Sequence, residues 1–216
     1  MAIILYGDEL SPPVRAVLLT CKALGVEYEF KKVSLLDSEQ MKPEFLKINP
    51  LHTVPAIQDG DFVIYDSHAI ASYLADKASA DSWYPRDIKK RAIVNQRLHF
   101  DNALLFTRIR DLLEPVIYAG ATAFQPERTK RLGEALEHLS NLVQEGGWLA
   151  GDRPTIADTC AAANVASILA ILPTVKVPAK VAAWLKKCEE GLPEYKTVNK
   201  IGADNLGEII KSKLKE

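Results

Sequence analysis

With 216 residues and 48% hydrophobic content, the chain can bury a substantial core as one large domain or two small ones. Its 27 basic and 28 acidic residues leave a net charge of −1, so neither nucleic acid nor an acidic membrane is expected as a partner. Three cysteines, odd in number and far apart (Cys21, Cys160, Cys188), suggest neither a disulfide framework nor a metal site, and point to a reducing compartment, the cytoplasm.

Met1 to Asp8 lacks the basic region and long apolar run of a secretory leader. Within it, Ile3-Ile4-Leu5-Tyr6 reads as a buried strand ended by Gly7-Asp8. Ser11-Pro12-Pro13 then opens a helix, serine as N-cap and proline in the first turn, with Val14, Val17, Leu18 and Cys21 as its apolar face and Gly25 as its stop. Glu27 to Val33 alternates and reads as a second strand; a β-α-β unit of this size requires a parallel pair with a right-handed crossover. Ser38 to Ile48 reads as a short helix closed by Asn49-Pro50. Val54-Pro55 opens a further strand, with a cis bond suited to a bend there, and Asp59-Gly60 turns it into a hairpin with Phe62-Val63-Ile64. That bend leaves the main chain of Val54 able to pair with an extended peptide. Asp66-Ser67 starts a helix to about Ala78, and helix N-termini favour carboxylates.

Residues 79–86 break both periodicities and read as a linker. Everything beyond reads as helix. Asp87 to Tyr118 forms one long helix bent by Pro115; Glu127 to Gln144 and Thr155 to Leu172 follow, the last nearly apolar all round and opened by a Thr155/Asp158 capping box. The longest apolar stretch, Ala161 to Pro173, is interrupted by Asn164 and Ser167, and no segment reaches the length of a membrane span. Shorter helices near Ala179–Glu190 and Asn205–Leu214 finish the chain. The expected layout is an α/β domain at 1–78 with the order βαβαββα, a linker at 79–86, and an all-helical domain at 87–216. The first of these resembles a thioredoxin-like fold.

Together with this layout, four motifs in register resemble the cytosolic glutathione transferases: Asn-Pro-x-His-x-Val-Pro at 49–55, Asp-Ser-His-Ala-Ile at 66–70, Thr-Ile-Ala-Asp at 155–158 and Ser-Pro-Pro-Val-Arg at 11–15. The last is similar to the delta and epsilon classes of arthropods; His68 and the Arg97-Leu-His-Phe-Asp101 run lean towards epsilon. The resemblance implies glutathione as co-substrate, no metal, a hydrophobic electrophile as second substrate, and a homodimer. It makes Ser11 the catalytic residue, whose hydroxyl and helix N-terminus would stabilise the glutathione thiolate. Val54 would pair with the cysteinyl unit, Asp66 and Ser67 with the γ-glutamyl ammonium and carboxylate, and His52 with the glycyl carboxylate. Thr53, Pro55, His68 and Asp101 complete the glutathione set. Gln40 stands where epsilon members commonly have a histidine, so it can donate a hydrogen bond but carries no charge. The second pocket is expected from Leu35, Phe106, Ile109, Arg110, Leu113, Glu114 and Tyr118, mainly apolar with an Arg110–Glu114 pair at one side.

The implied activity is conjugation of xenobiotics or insecticides, with glutathione peroxidation or dehydrochlorination as further reactions of the same site. Two alternatives are a non-catalytic carrier of hydrophobic ligands and a specialised steroid-pathway enzyme in which Asp111 or Glu114 binds a ligand hydroxyl. Thiol–disulfide exchange is disfavoured because no Cys-x-x-Cys is present and Ser11 stands where such enzymes place a cysteine.

Overall fold

Residues 2–215 are described by a computed structural model. Strand β1 (Ile3–Gly7), helix α1 (Pro12–Leu24) and strand β2 (Tyr28–Lys32) form the first unit, with β1 and β2 parallel. Gly25 closes α1 in the left-handed conformation at φ 65°, returning its N–H to Cys21 and Lys22, which is why a residue without a Cβ ends this helix. Strands β3 (Ala56–Asp59) and β4 (Phe62–Tyr65) form the hairpin across Gly60, and the four-stranded sheet runs β2-β1-β3-β4. The β3–β1 and β3–β4 pairs are antiparallel, and the Val54–Pro55 bond that leads into β3 is cis. Between β2 and β3 the expected single helix is divided: a 3₁₀ turn (Glu39–Met41) precedes a one-turn helix α2 (Pro43–Leu46). Pro43 explains the break, since Lys42 before it is extended (φ −70°, ψ 146°).

Helix α3 (Ser67–Lys77) completes the α/β part. Both α1 and α3 are two-faced. Val14, Val17, Leu18 and Cys21, with Ile70 and Leu74, pack on the sheet; Ala16, Leu19, Ala71 and Ala75 face the helical part. The connecting residues are tied down: the Trp83 carbonyl accepts from Ile156 N–H at 3.1 Å, and the Arg91 guanidinium lies 4.1 Å from the buried Tyr84 ring.

The helical part comprises α4 (Ile88–Phe100), α5 (Thr107–Tyr118), α6 (Pro126–Leu142), α7 (Ile156–Ile171), α8 (Ala179–Gly191) and α9 (Ile201–Lys213). Helix α7 is buried along almost its whole length, and its small side chains let α1 pack closely. Thr20 and Thr159 exchange a hydroxyl hydrogen bond of 2.7 Å across that contact. At the start of α7 the buried Asp158 carboxylate accepts from Thr155 N–H, Leu149 N–H and Trp184 Nε1–H at 2.9, 3.0 and 2.9 Å. Burial pushes its pKa up, and these donors work against that. Two π-helical stretches depart from the expected layout. Residues Asp101–Phe106 interrupt the long helix between α4 and α5, and Lys196–Lys200 leads directly into α9, which therefore starts earlier than Asn205. No described helix is long and apolar enough to cross a membrane.

Candidate active site

Three short-range structures build the α/β side of the site. First, Asp8, 2% exposed, shapes the turn before α1: its carboxylate accepts from Leu10 N–H (3.1 Å) and Leu35 N–H (3.0 Å), and its carbonyl accepts from Ser11 N–H (2.9 Å). Ser11 is thereby placed as the N-cap of α1 in an extended conformation, yet its hydroxyl caps no N–H of the helix. That hydroxyl has no partner among the described residues and can donate to something else.

Second, the fully buried Asn49 staples the turn 49–53. Its amide donates to the Thr53 carbonyl (2.8 Å) and hydroxyl (2.9 Å) and its oxygen accepts from Leu51 N–H (2.9 Å). This turn exposes His52, held in the left-handed region at φ 47°, and delivers Val54 to the cis bond. Neither backbone polar group of Val54, a residue only 9% exposed, has a hydrogen-bond partner among the described residues. A nearly buried peptide group left unpaired is a docking point for another main chain.

Third, Asp66 sits at φ 78°, a backbone conformation L-residues rarely adopt and which is typically retained at functional sites. One of its oxygens caps α3, accepting from His68 N–H (2.9 Å) and Ala69 N–H (3.0 Å); the other accepts from Asn102 Nδ2 (3.2 Å). The side chain of His68, next to Ser67, links this turn to the helical part: its Nε2 donates to Asp101 Oδ2 at 2.8 Å, and Asn164 Nδ2 donates to both Asp101 oxygens at 2.9 Å. Burial disfavours charge on His68, but the hydrogen bond to Asp101 and the nearby Asp66 outweigh it and raise its pKa to about 9. Asp66 is held down at about 2, chiefly by the His68 side chain, whose Nδ1 lies at an ion-pair distance of 3.7 Å. The imidazolium is therefore clamped between two carboxylates. Asp101, 1% exposed, is the first residue of the π-helical stretch, a feature that often marks functional positions.

These parts meet at a cavity of about 490 Å³ between the α/β and helical parts. One wall is Pro13, Leu51, Thr53, Val54, Pro55, Tyr65, Asp66 and Ser67; the other is Asn102, Phe106, Thr107, Arg110, Asp111 and Glu114. Ser11 does not itself line this volume. It is 8% exposed and lies two residues before Pro13, which does.

The expected electrophile residues divide. Phe106, Arg110 and Glu114 line the cavity at successive four-residue steps, together with Asn102. Ile109 and Leu113, 1% and 6% exposed, pack instead into the helical core beside Leu105, Leu112 and Val116. The helical period is as expected but the face is turned: the core takes the apolar stripe, leaving the cavity the more polar neighbour. Tyr118 lies 66% exposed at the end of α5, and Leu35 packs partly buried against the sheet core. The wall is thus less apolar than expected. Arg110 donates to Glu114 Oε1 from Nε at 3.0 Å, and Asp111 and Thr107 stand beside that pair.

Of the remaining residues expected to bind glutathione, His52, Gln40, His68 and Asp101 lie outside the cavity lining, the last two behind Ser67. Gln40 is 8% exposed with its Oε1 lacking a partner among the described residues. Sequence reading missed the cavity residues Pro13, Leu51, Tyr65, Asn102 and Thr107. The four-residue spacing from Phe106 back to Asn102 was the available signal for one of them.

The family model described as "Glutathione S-transferase, N-terminal domain" matches residues 5–82. Glutathione S-transferase 1 of Manduca sexta is 42% identical, the match covering 99% of this chain and 100% of the relative. An epsilon-class glutathione S-transferase from the housefly Musca domestica superposes with a TM-score of 0.91 at 38% identity, over 99% of this chain and all of that one. A delta-class glutathione transferase from Nilaparvata lugens gives 0.89, also at 38% identity, over 98% and 99% of the two chains.

Proposed function

The chain belongs to the glutathione S-transferase family, and from that premise we propose that Ser11 generates the nucleophile by hydrogen-bonding the sulfur of bound glutathione. A free thiol has a pKa near ~8.5, and lowering it by two units requires ~2.7 kcal/mol of preference for the thiolate. One charge-assisted hydrogen bond is worth about 1.5–3 kcal/mol, and the N-terminus of α1 adds a fraction more. Ser11 therefore suffices as a donor without acting as a base. The observation that carries this reading is its position: an N-cap serine whose hydroxyl is not used by the helix it caps.

The peptide body of glutathione lies along the first wall in this reading. Val54 offers its unpaired N–H and C=O to the cysteinyl unit, Asp66 accepts from the γ-glutamyl ammonium, and the Ser67 hydroxyl and N–H hold the γ-glutamyl carboxylate at the start of α3. Thr53 and Pro55 shape that wall. The clamped His68–Asp101 pair supports the α3 end, while His52 and Gln40 flank the glycyl end. The second substrate rests against Phe106, Arg110 and Glu114. Thiolate attack forms a carbon–sulfur bond and expels a leaving group such as chloride, and the polar edge of this wall suits electrophiles with an apolar body and a nitro, carbonyl or hydroperoxide group. Xenobiotic conjugation is the proposed role, with peroxidation and dehydrochlorination available to the same thiolate.

The finer class we propose is epsilon, supported by His68 in the 66–70 motif. A homodimer is proposed through the hairpin and the long helices; its support is the exposed apolar set Phe62, Val63, Ile88 and Ile93 on β4 and α4. Division into domains at 1–78 and 87–216 is supported by the two separate hydrophobic clusters. A cytoplasmic location is supported by three buried, unpaired cysteines. The test of the catalytic assignment is turnover of a chlorinated nitroaromatic by wild type and Ser11→Ala. Loss of roughly 10- to 100-fold in kcat/KM, with glutathione affinity changed far less, is the expected result. Equal turnover by the two proteins would refute it.

A further inference from the structure

The loop that carries Ser11 is held from the far end of the chain. Arg15, one turn into α1, is fully buried, and its guanidinium spans four acceptors on three segments. Nη1 donates to the carbonyls of Glu9 (2.7 Å) and Leu10 (2.8 Å), the two residues before Ser11. Nε donates to Asn199 Oδ1 at 3.0 Å, and Nη2 donates to the Ser167 hydroxyl on α7. None of the four is a carboxylate. Burial pushes the Arg15 pKa down to about 10, with Tyr195 and Asp204 partly opposing, so the side chain stays charged at neutral pH. A buried cation with only neutral acceptors is a costly way to join helices, since an apolar side chain of similar volume often does it as well or better. Its geometry calls for another reason.

The approach of α9 supplies a second, independent observation. A Cβ built at Gly202, in the first turn of α9, would sit 2.4 Å from the Glu9 carbonyl oxygen and 2.7 Å from Arg15 Cδ. Only glycine lets that helix come so close to the Ser11 loop. Asn199 lies in the π-helical stretch immediately before α9 and gives its oxygen to Arg15, while its own Nδ2 has no partner among the described residues. The contacts converge on two carbonyls. Holding the carbonyls of Glu9 and Leu10 fixes the peptide planes 9–10 and 10–11, and these set the direction in which Ser11 presents its hydroxyl.

We infer that Arg15 is a positioning residue for the thiolate site, and that Asn199 and Gly202 couple the C-terminal helix to it. The inference rests on the Ser11 reading above. Its consequence is that changes at residues 199–202, which do not line the cavity, alter thiolate formation.

The experiment is the pH profile of kcat/KM for a chlorinated nitroaromatic at saturating glutathione, which reads ionisation of the bound thiol, in wild type, Ser11→Ala, Arg15→Lys, Asn199→Ala and Gly202→Ala. Thermal melts run alongside. Lysine keeps the charge but has a single nitrogen and cannot hold both carbonyls and Asn199 in the same plane. Arg15→Lys should move the midpoint of the profile up by about one pH unit, the effect of weakening one charge-assisted hydrogen bond, with activity regained at higher pH. Asn199→Ala and Gly202→Ala should move it in the same direction. Folded variants with lowered melting temperatures and an unmoved midpoint, beside a Ser11→Ala midpoint that does move, would leave Arg15 a purely structural residue and overturn the inference. An unmoved Ser11→Ala midpoint would instead refute the Ser11 reading, and the inference with it. Should Arg15→Lys fail to fold, Asn199→Ala, which leaves three of the four guanidinium contacts intact, decides by the same criterion.

Discussion

Replacing Asp101 by asparagine removes the buried charge from a trio with His68 and the exposed Asp66 while keeping the side chain's size. In the native protein the His68 imidazolium lies between Asp101, at 2.8 Å, and Asp66, at 3.7 Å, and titrates near 9 against an ordinary value of 6.5. That difference is worth on the order of 3 kcal/mol of folding stability through proton linkage. The sign follows from the direction. The folded state holds the proton more tightly than the unfolded chain, so the contribution is fully present below about pH 6.5 and is lost as pH rises towards 9. In Asp101→Asn the nearest counter-charge is gone while burial remains, so the His68 pKa falls and the linked stabilisation shrinks with it. Imidazole proton NMR reads the midpoint directly, with His68→Gln assigning the resonance among the four histidines. Urea unfolding at pH 6 and pH 9 reads the energy. Wild type should lose stability between those conditions by an amount that Asp101→Asn largely lacks. A His68 midpoint near 6.5 in wild type, or an equal loss in both proteins, would refute the reasoning.

Asp66→Ala removes a cap accepted by two N–H groups as well as the proposed ammonium partner. It should cost about 1 kcal/mol of stability in urea melts and raise KM for glutathione more than it lowers kcat. Gln40→His introduces a second titratable donor beside His52 at the proposed glycyl end, so as pH is lowered below about 6.5 KM for glutathione should fall more steeply in the variant than in wild type, as steady-state kinetics would show. Glu114→Ala breaks an exposed i,i+4 pair with Arg110 and should change stability by no more than about 0.5 kcal/mol, while shifting KM for the electrophile and leaving that for glutathione alone. Burial raises the thiol pKa of Cys21 to about 12 and those of Cys160 and Cys188 well above the usual range, so a colorimetric thiol reagent should find no reactive thiol until the protein is unfolded.

What was legible in the chain followed from local rules. Gly25, Asp59-Gly60, the Asp66 cap and the Thr155/Asp158 box punctuate elements whose ends the structure places within a few residues, because capping and turn chemistry involve only near neighbours. The π-helical stretches were not legible. No local signal marks them, and the partner that meets Asp101 lies on another helix, Asn164. The same limit turned the α5 face by one position, since Ile109 and Leu113 are claimed by a core whose other side comes from distant helices. Pro43 marks the break in the Ser38–Ile48 segment, but the helical pattern around it reads as continuous. In the sequence Arg15 stands only as the end of the Ser-Pro-Pro-Val-Arg motif. Its acceptors Ser167 and Asn199 lie 152 and 184 residues away in the chain, so its setting belongs to the tertiary fold alone.

The central claim is that this protein turns a bound thiol into a thiolate with Ser11. Its most direct test is an ultraviolet difference titration of glutathione bound to wild type and to Ser11→Ala, following thiolate absorbance across pH. In wild type the bound thiol should titrate well below the free value of ~8.5, and in Ser11→Ala its pKa should return towards it. Glutathione that binds both proteins as a thiol, with its free pKa, would contradict the account.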